Sequence, residues 1–355
     1  MRPLFAFVMM ASDRQRLCLN KRKAMNQFVA ASDYQRWDFA DSDWNRLALS
    51  TEQLDPCSCL TAWQLSFHDC FSPNRLLLLR QEGESMIAFA EEAHWFDFPV
   101  LAPVESHWFF GNPLLGERPL ALLVDTLGQL QIHRGFRYPG IFISGIWQQS
   151  PLLTNLQNFQ ALRYEAVQFK SEIQCFASLA GGVDGYLSRR SRKWRQNLRQ
   201  QQNRARRAGI EFERHQPVSS KQAQEIFGRM LTVERQSWKG IEQCGMAESP
   251  AHEFYLRMLQ RLAMSGDARV IFARHGGDDI GFVFGGIGGD FYRGQQFSFI
   301  DQWKKYSIGN LLQMQQIQWL CEQSVRRYDM GPLMPYKLNW AEQQTAMDSW
   351  LLRLR

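Results

Sequence analysis

Residues 306–312, YSIGNLL, have the makings of a helix start that faces a ligand. Ser307 can cap the helix, and Gly309 in the first turn has no side chain to keep an anion from the free backbone amides. Four unpaired N–H groups at the positive end of a helix dipole favour a doubly charged group such as a diphosphate. The plainer alternative is a glycine that allows close packing. A second cluster, Glu234, Arg235 and Trp238, puts a carboxylate, a cation and an indole on successive turns of one helix, facing one groove. An ordinary amphipathic helix with its tryptophan in the core would look the same. A third lies between Ser188 and Ala208, where nine basic residues stand without an acidic one. Leu187, Trp194, Leu198 and Ala205 share one helical face, and Arg192, Arg195 and Arg199 lie on the opposite arc. That cationic face is open to three readings: a solvated surface, a dock for an anionic carrier or membrane head groups, or a nucleic-acid stripe. With Trp194 inward, no exposed aromatic interleaves the charges to stack single strands, which disfavours the last.

Other chemistries are excluded by what is missing. The run GGIGG at 285–289 sits between two strands as a hairpin turn, and there is no P-loop, G-x-S-x-G or H-E-x-x-H. The seven histidines are scattered, and the seven cysteines offer only Cys57 and Cys59 as a close pair, so neither a metal site nor a disulfide framework is expected. The chain has 355 residues, 45% hydrophobic and 21% charged, enough for two domains with real cores. The net charge of +6 is held by the basic run, leaving the remainder slightly acidic. The longest uncharged stretch, Tyr138 to Leu162, is broken by Pro139 and Pro151, so no transmembrane helix is expected. The opening MRPLFAFVMMAS has an apolar run after one arginine but no convincing cleavage site. Residues 1–25 are read as a disordered extension, with Met25 an alternative start, and the protein as cytoplasmic.

The elements that must position these residues follow from periodicity. RLLLLRQEG and SMIAFAEE read as strands, ERPLALLVDTLGQL as a helix and GIFISGI as a strand, giving a mixed α/β domain over 26–180. LAGGVDG marks a boundary. The second domain, 181–355, opens with the basic helix over 188–208. A strand GIEFERH, two helices and the antiparallel meander ARVIFARH, IGFVFGGIG, FYRGQQFSFI follow. Then come a helix from about Ser307 to Gln323, the strand RRYDMG, a turn bearing Tyr336 and Lys337, and a last strand SWLLRLR. No internal sequence repeat is visible.

This order resembles the GNAT acyltransferase fold, and more specifically its CelD-like branch, associated with bacterial cellulose and exopolysaccharide synthesis and related to the FemABX peptidyl transferases. The residues that carry the resemblance are LSRRSRKWRQNLRQ, ERQSWKG, DQWKKYSIGNLL and above all YDMGPLMPYKLNWAE, spanning about 187–342. The run GPLMP departs from the acidic and glycine-rich stretch usual there. The resemblance implies an α/β, GNAT-like acyl-CoA N-acyltransferase fold, with two tandem GNAT-like domains and mixed central sheets.

It also implies acyl transfer from acetyl-CoA or another acyl-CoA, without a metal, to an amine or hydroxyl on a small molecule, saccharide or cell-envelope precursor. Such a reaction must deprotonate the acceptor, stabilise an oxyanion and protonate a thiolate. On this reading Ser307, Gly309 and Asn310 seat the coenzyme, Asp329 acts as base or orients the acceptor, Tyr336 protonates the sulfur, and Lys337 stabilises developing negative charge. Glu234, Arg235, Trp238, Arg192, Arg195 and Arg199 would meet the acceptor or an anionic carrier. Structural alternatives are a strand-end cap for Asp329, and core packing beside a snorkelling lysine for the Tyr-Lys pair. Two competitors stand beside it: aminoacyl transfer from charged tRNA, served by the basic helix, and a non-catalytic binding module that kept the fold.

Overall fold

Among the described residues, runs of Leu, Ile, Val and Phe bounded by glycine turns place thirteen strands in one mixed sheet with helices on both faces. The computed structural model describes residues 28–29, 41–93, 95–134 and 137–355; the expected extension over 1–25 lies outside the described residues. The N-terminal half holds β1 (Phe28–Val29), α1 (Asp41–Ser50), α2 (Thr61–Phe71), β2 (Leu77–Glu82), β3 (Ser85–Glu92), β4 (Val100–Pro103) and β5 (Leu114–Gly116), then α3 (Pro119–Arg134), β6 (Gly140–Trp147), α4 (Pro151–Gln157) and β7 (Tyr164–Ser178). The C-terminal half holds α5 (Gly182–Ser188), α6 (Arg192–Arg207), β8 (Glu211–His215), α7 (Ser220–Arg235), α8 (Trp238–Ile241), α9 (Ala251–Met264), β9 (Ala268–His275), β10 (Asp278–Gly288) and β11 (Phe291–Phe299), then α10 (Ile308–Glu322), β12 (Arg327–Pro332) and β13 (Gln343–Leu354). Among the described residues no helix is long and apolar enough to cross a membrane.

The strand order is β1-β2-β3-β4-β6-β13-β7-β12-β11-β10-β9-β8, with β5 on β3. Two similar units emerge. In one, the antiparallel meander β2-β3-β4 is followed by α3 and then β6, parallel to β4; in the other, β9-β10-β11 is followed by α10 and then β12, parallel to β11. Each unit's last strand has crossed to the other: β7 pairs with β12, β13 pairs with β6, and the two pair along their length from Tyr164↔Leu354 to Phe176↔Gln343. The long antiparallel ribbon at the centre therefore belongs to both halves.

The basic segment is not one helix. α5 ends at Ser188 and α6 begins at Arg192, with Ser191 as N-cap accepting from Trp194 N at 3.2 Å. A cap serine three residues before the next helical donor stops one helix and starts another. Leu187 thus lies on a different helix from Leu198 and Ala205, which are buried, while Arg192, Arg199, Arg204, Arg206 and Arg207 are exposed.

Candidate active site

The chemistry the sequence points to depends on where β11 and β12 part. They run parallel for three registered pairs, Phe291↔Arg327, Tyr292↔Tyr328 and Arg293↔Asp329, and then diverge. On β11 the cause is a bulge: Phe284 of β10 pairs with Gln296 and Gly285 with Gly294, leaving Gln295 without a partner on β10. On β12, Gly331 takes φ 81° and Pro332 has no N–H to give. Between the separated strands lies a cavity of about 70 Å³, lined among others by Gly294, Gln295, Gln296, Phe297, Tyr336 and Lys337. A backbone amide at such a bulge is the type of fixed donor that can meet an oxyanion.

Tyr336 and Lys337 reach this cleft from a short 3-10 turn, Pro335–Asn339. The Tyr336 ring stands 5.6 Å from that of Phe297. Burial, helped by nearby Cys175, pushes its phenol up to about 12, so it remains a proton donor. Lys337 is buried at 7% exposure, and its Nζ donates to Pro332 O at 2.7 Å. Burial first, then the Arg293 charge, brings its amine down to about 8 against the opposing pull of Asp329 and Cys175.

Asp329 does not present a free carboxylate to an acceptor. Its Oδ1 lies 2.7 Å from Arg293 Nη1 and accepts from Gly331 N at 2.7 Å, while Arg293 also meets Asp55 Oδ2 at 3.1 Å. All three side chains are buried. Burial raises the proton affinity of Asp329, and Arg293 pulls it back. The strand end that suggested a base instead places this carboxylate opposite a buried guanidinium.

At the α10 tip, Ser307 sits in the left-handed region at φ 59° and makes no capping bond; its Oγ accepts from Arg204 Nη2 at 3.3 Å. The cap expected of Ser307 is absent because that conformation turns the hydroxyl away from the helix amides, which stay uncapped. Gly309 has a packing reason: a Cβ there would lie 3.2 Å from Phe297 and 3.3 Å from Phe299. The glycine lets α10 settle onto β11, and Phe297 bridges the helix tip to the Tyr336 ring. Asn310 is exposed and its amide donates to Gln201 Oε1 at 3.3 Å. Beside it a cavity of about 220 Å³ is lined by Trp194, Asn197, Gln201, Asn310, Asn339 and Trp340. Asn310 and the basic helix therefore share one groove.

The cluster Glu234, Arg235 and Trp238 is not brought together. α7 ends at Arg235 and Trp238 opens α8; Glu234 is fully buried, its Oε1 accepting from Met246 N at 3.1 Å, whereas Arg235 and Trp238 face solvent. Arg192 and Arg199 are exposed on α6 and do not line the cleft, and Arg195 bonds back to Leu187 O at 3.3 Å. Sequence reasoning missed Gln295, Arg293, Asp55 and Lys239. Lys239 Nζ donates to Gln296 Oε1 at 2.8 Å and Phe297 O at 2.9 Å, fixing the bulged strand from its far side. The signals were present: Gly-Gln-Gln breaks the alternation of β11, and an arginine in mid-strand must find carboxylates if buried.

Comparison with known proteins bears on the fold. Residues 192–338 match the acetyltransferase (GNAT) domain model. No curated protein sequence matches the chain. Among solved structures, FemX is 11% identical over 88% of this chain and 96% of that one, with a TM-score of 0.63. A conserved protein of unknown function from Bacteroides thetaiotaomicron VPI-5482 is 10% identical over 92% and 98%, at 0.60. L-PGS from Bacillus licheniformis is 14% identical over 83% and 91%, at 0.55. These likenesses establish the fold, an α/β GNAT-like architecture, and the stretch 192–338 within its C-terminal half is similar to the acetyltransferase (GNAT) domain.

Proposed function

We propose that the protein transfers a small acyl group from a coenzyme A thioester to an amine or hydroxyl acceptor. The single observation that carries this reading is the convergence, at one strand splay, of the Gln295 bulge, the Tyr336 phenol and the Lys337 amine, with the α10 tip joined to them through Phe297. The donor's fit rests on the uncapped amides of α10, with Arg204 beside them, and on the amide-lined groove at Asn310. When bound, acyl-CoA would supply a thioester carbonyl as electrophile. A cleft of about 70 Å³, the share of roughly two waters, suits an acetyl-sized group.

The chain's own groups divide the work. Lys337, with its amine near 8, takes the acceptor's proton in its neutral form, a role to which Asp329 is poorly suited while it pairs with Arg293. The backbone amide of Gln295, which lines the cleft at the bulge, takes the part of donor to the oxyanion in this reading. Tyr336, protonated throughout the working range, gives its proton to the departing sulfur. An acceptor on a saccharide or envelope precursor is supported only by the CelD-like motif YDMGPLMPYKLNWAE.

A second reading, transfer from a charged tRNA, is favoured by the exposed arginines of α6 and by likeness to FemX. Titration separates the two. A rise in melting temperature with acetyl-CoA or coenzyme A, and release of free thiol with an amine acceptor, would support the first. Salt-sensitive tRNA binding without either would support the second.

A further inference from the structure

The buried charges beneath the cleft come from both halves of the chain. Arg293 on β11 is flanked by Asp329 of β12 at 2.7 Å and by Asp55 at 3.1 Å. Asp55 belongs to the segment between α1 and α2, and its carboxylate is held in turn, Oδ1 accepting from Ser58 N at 3.0 Å and Oδ2 from Ser58 Oγ at 2.6 Å. That segment docks on the same strand pair elsewhere: Leu54 O accepts from Arg327 of β12, and Cys57 Sγ donates to Phe291 O of β11 at 3.9 Å. A buried ion chain of this kind adds little net stability over well-packed apolar residues, so stability alone does not account for it. Next to it is the cleft amine. A Cβ on Gly331 would lie 3.2 Å from Arg293 Nη2 and 3.6 Å from Lys337 Nζ, so guanidinium and amine both border the space that this residue's lack of a side chain leaves open.

We propose that Asp55 and Arg293 are positioning residues for Lys337: a carboxylate–guanidinium–carboxylate chain anchored in the N-terminal half sets the charge and place of the amine in the C-terminal cleft. The catalytic consequence rests on the acyl-transfer reading; the clamp itself concerns the free protein. The groups that bear on the amine are Arg293 from β11, Asp329 from β12, Cys175 from β7 and Tyr336 from its own turn, with Asp55 behind Arg293. The sign follows from the charges. Loss of either carboxylate leaves the guanidinium less compensated, so Lys337 gives up its proton at lower pH; loss of the guanidinium leaves two carboxylates, so Lys337 holds its proton to higher pH.

The test is the titration of Lys337 in the full chain, followed by NMR in protein carrying ¹³C-labelled lysine and assigned by the signal lost in Lys337→Met. Asp55→Asn, which keeps the side-chain shape, shifts the midpoint downward. Asp329→Asn lowers it too, Arg293→Gln raises it, and Arg293→Lys restores it toward the original. Should Arg293→Gln fail to fold, the two asparagine variants carry the test. A midpoint unmoved in folded Asp55→Asn and Asp329→Asn proteins would overturn the clamp. Turnover alongside that static midpoint would leave acyl transfer standing. A moving midpoint without thioester consumption by the original protein would overturn acyl transfer and leave the clamp in place.

Discussion

At the residue scale, Tyr336 and Lys337 are adjacent in sequence yet burial acts on them in opposite chemical senses. It keeps the phenol protonated and makes the amine easier to deprotonate, because in each case the charged form is the one disfavoured. Acid and base roles are thus separated by the opposite charge types of phenol and amine, although Tyr336 is 41% exposed and Lys337 only 7%. Tyr336→Phe removes the proton donor while keeping the ring on Phe297, so thiol release falls by about 10²-fold or more with little change in melting temperature. For Lys337, whose neutral form is the base, the rate constant rises with pH through an apparent value near 8, and Lys337→Met abolishes that limb. The stability effect has the same direction. The folded amine binds its proton more weakly than the unfolded one, so between pH 8 and the ordinary lysine value near 10.4 the unfolded chain holds more protons and stability rises with pH. Denaturant midpoints at pH 8 and pH 10, compared with Lys337→Met, check this; a slope shared by both proteins would assign it to other groups.

At the element scale, the helix starting near Ser307, the strand ending near Asp329 and the Tyr-Lys turn were all legible, because hydrophobic period and glycine punctuation act within a few residues. What those residues do was less so. Ser307 looked like a cap but takes a left-handed conformation, a choice made by the 3-10 turn before it. Gly309 looked like an opening for an anion, but its missing side chain faces Phe297 and Phe299, residues ten or more positions away that no local pattern could pair with it. Asp329 read as a base until Arg293 and Asp55 were found around it. The two accounts of Gly309 separate experimentally. If packing sets the requirement, Gly309→Val forces branched carbons against two phenyl rings and costs about 1–3 kcal/mol of stability in a denaturant titration, whether or not a ligand is present. If only anion access mattered, stability would hold and coenzyme A affinity alone would fall.

At the scale of the whole molecule, the two similar units share no visible sequence repeat, yet each is a three-strand meander, a helix and a parallel strand, joined to the other by exchanged final strands. The exchange was beyond sequence reasoning because β7 and β13 each look like the close of their own unit, and only the hydrogen-bond ladder shows whose sheet they complete. It has a mechanical consequence. β12, which forms one wall of the cleft, is bordered on its far side by β7 from the N-terminal half, and Arg293 beneath it is held by Asp55 from that half as well. Residues 181–355 alone would therefore lack the strand that covers β12 and the carboxylate that pairs with Arg293, while β13 would have neither β6 nor β7 to pair with. That fragment, although it contains the whole of the 192–338 domain match, should not fold cooperatively when expressed by itself and should regain a sharp thermal transition on co-expression with residues 1–180. The intact chain should unfold in one transition seen identically by tryptophan fluorescence and far-ultraviolet circular dichroism. A stable, sharply melting 181–355 fragment would show that the central ribbon is a late addition to two self-sufficient units rather than the element that makes them one molecule.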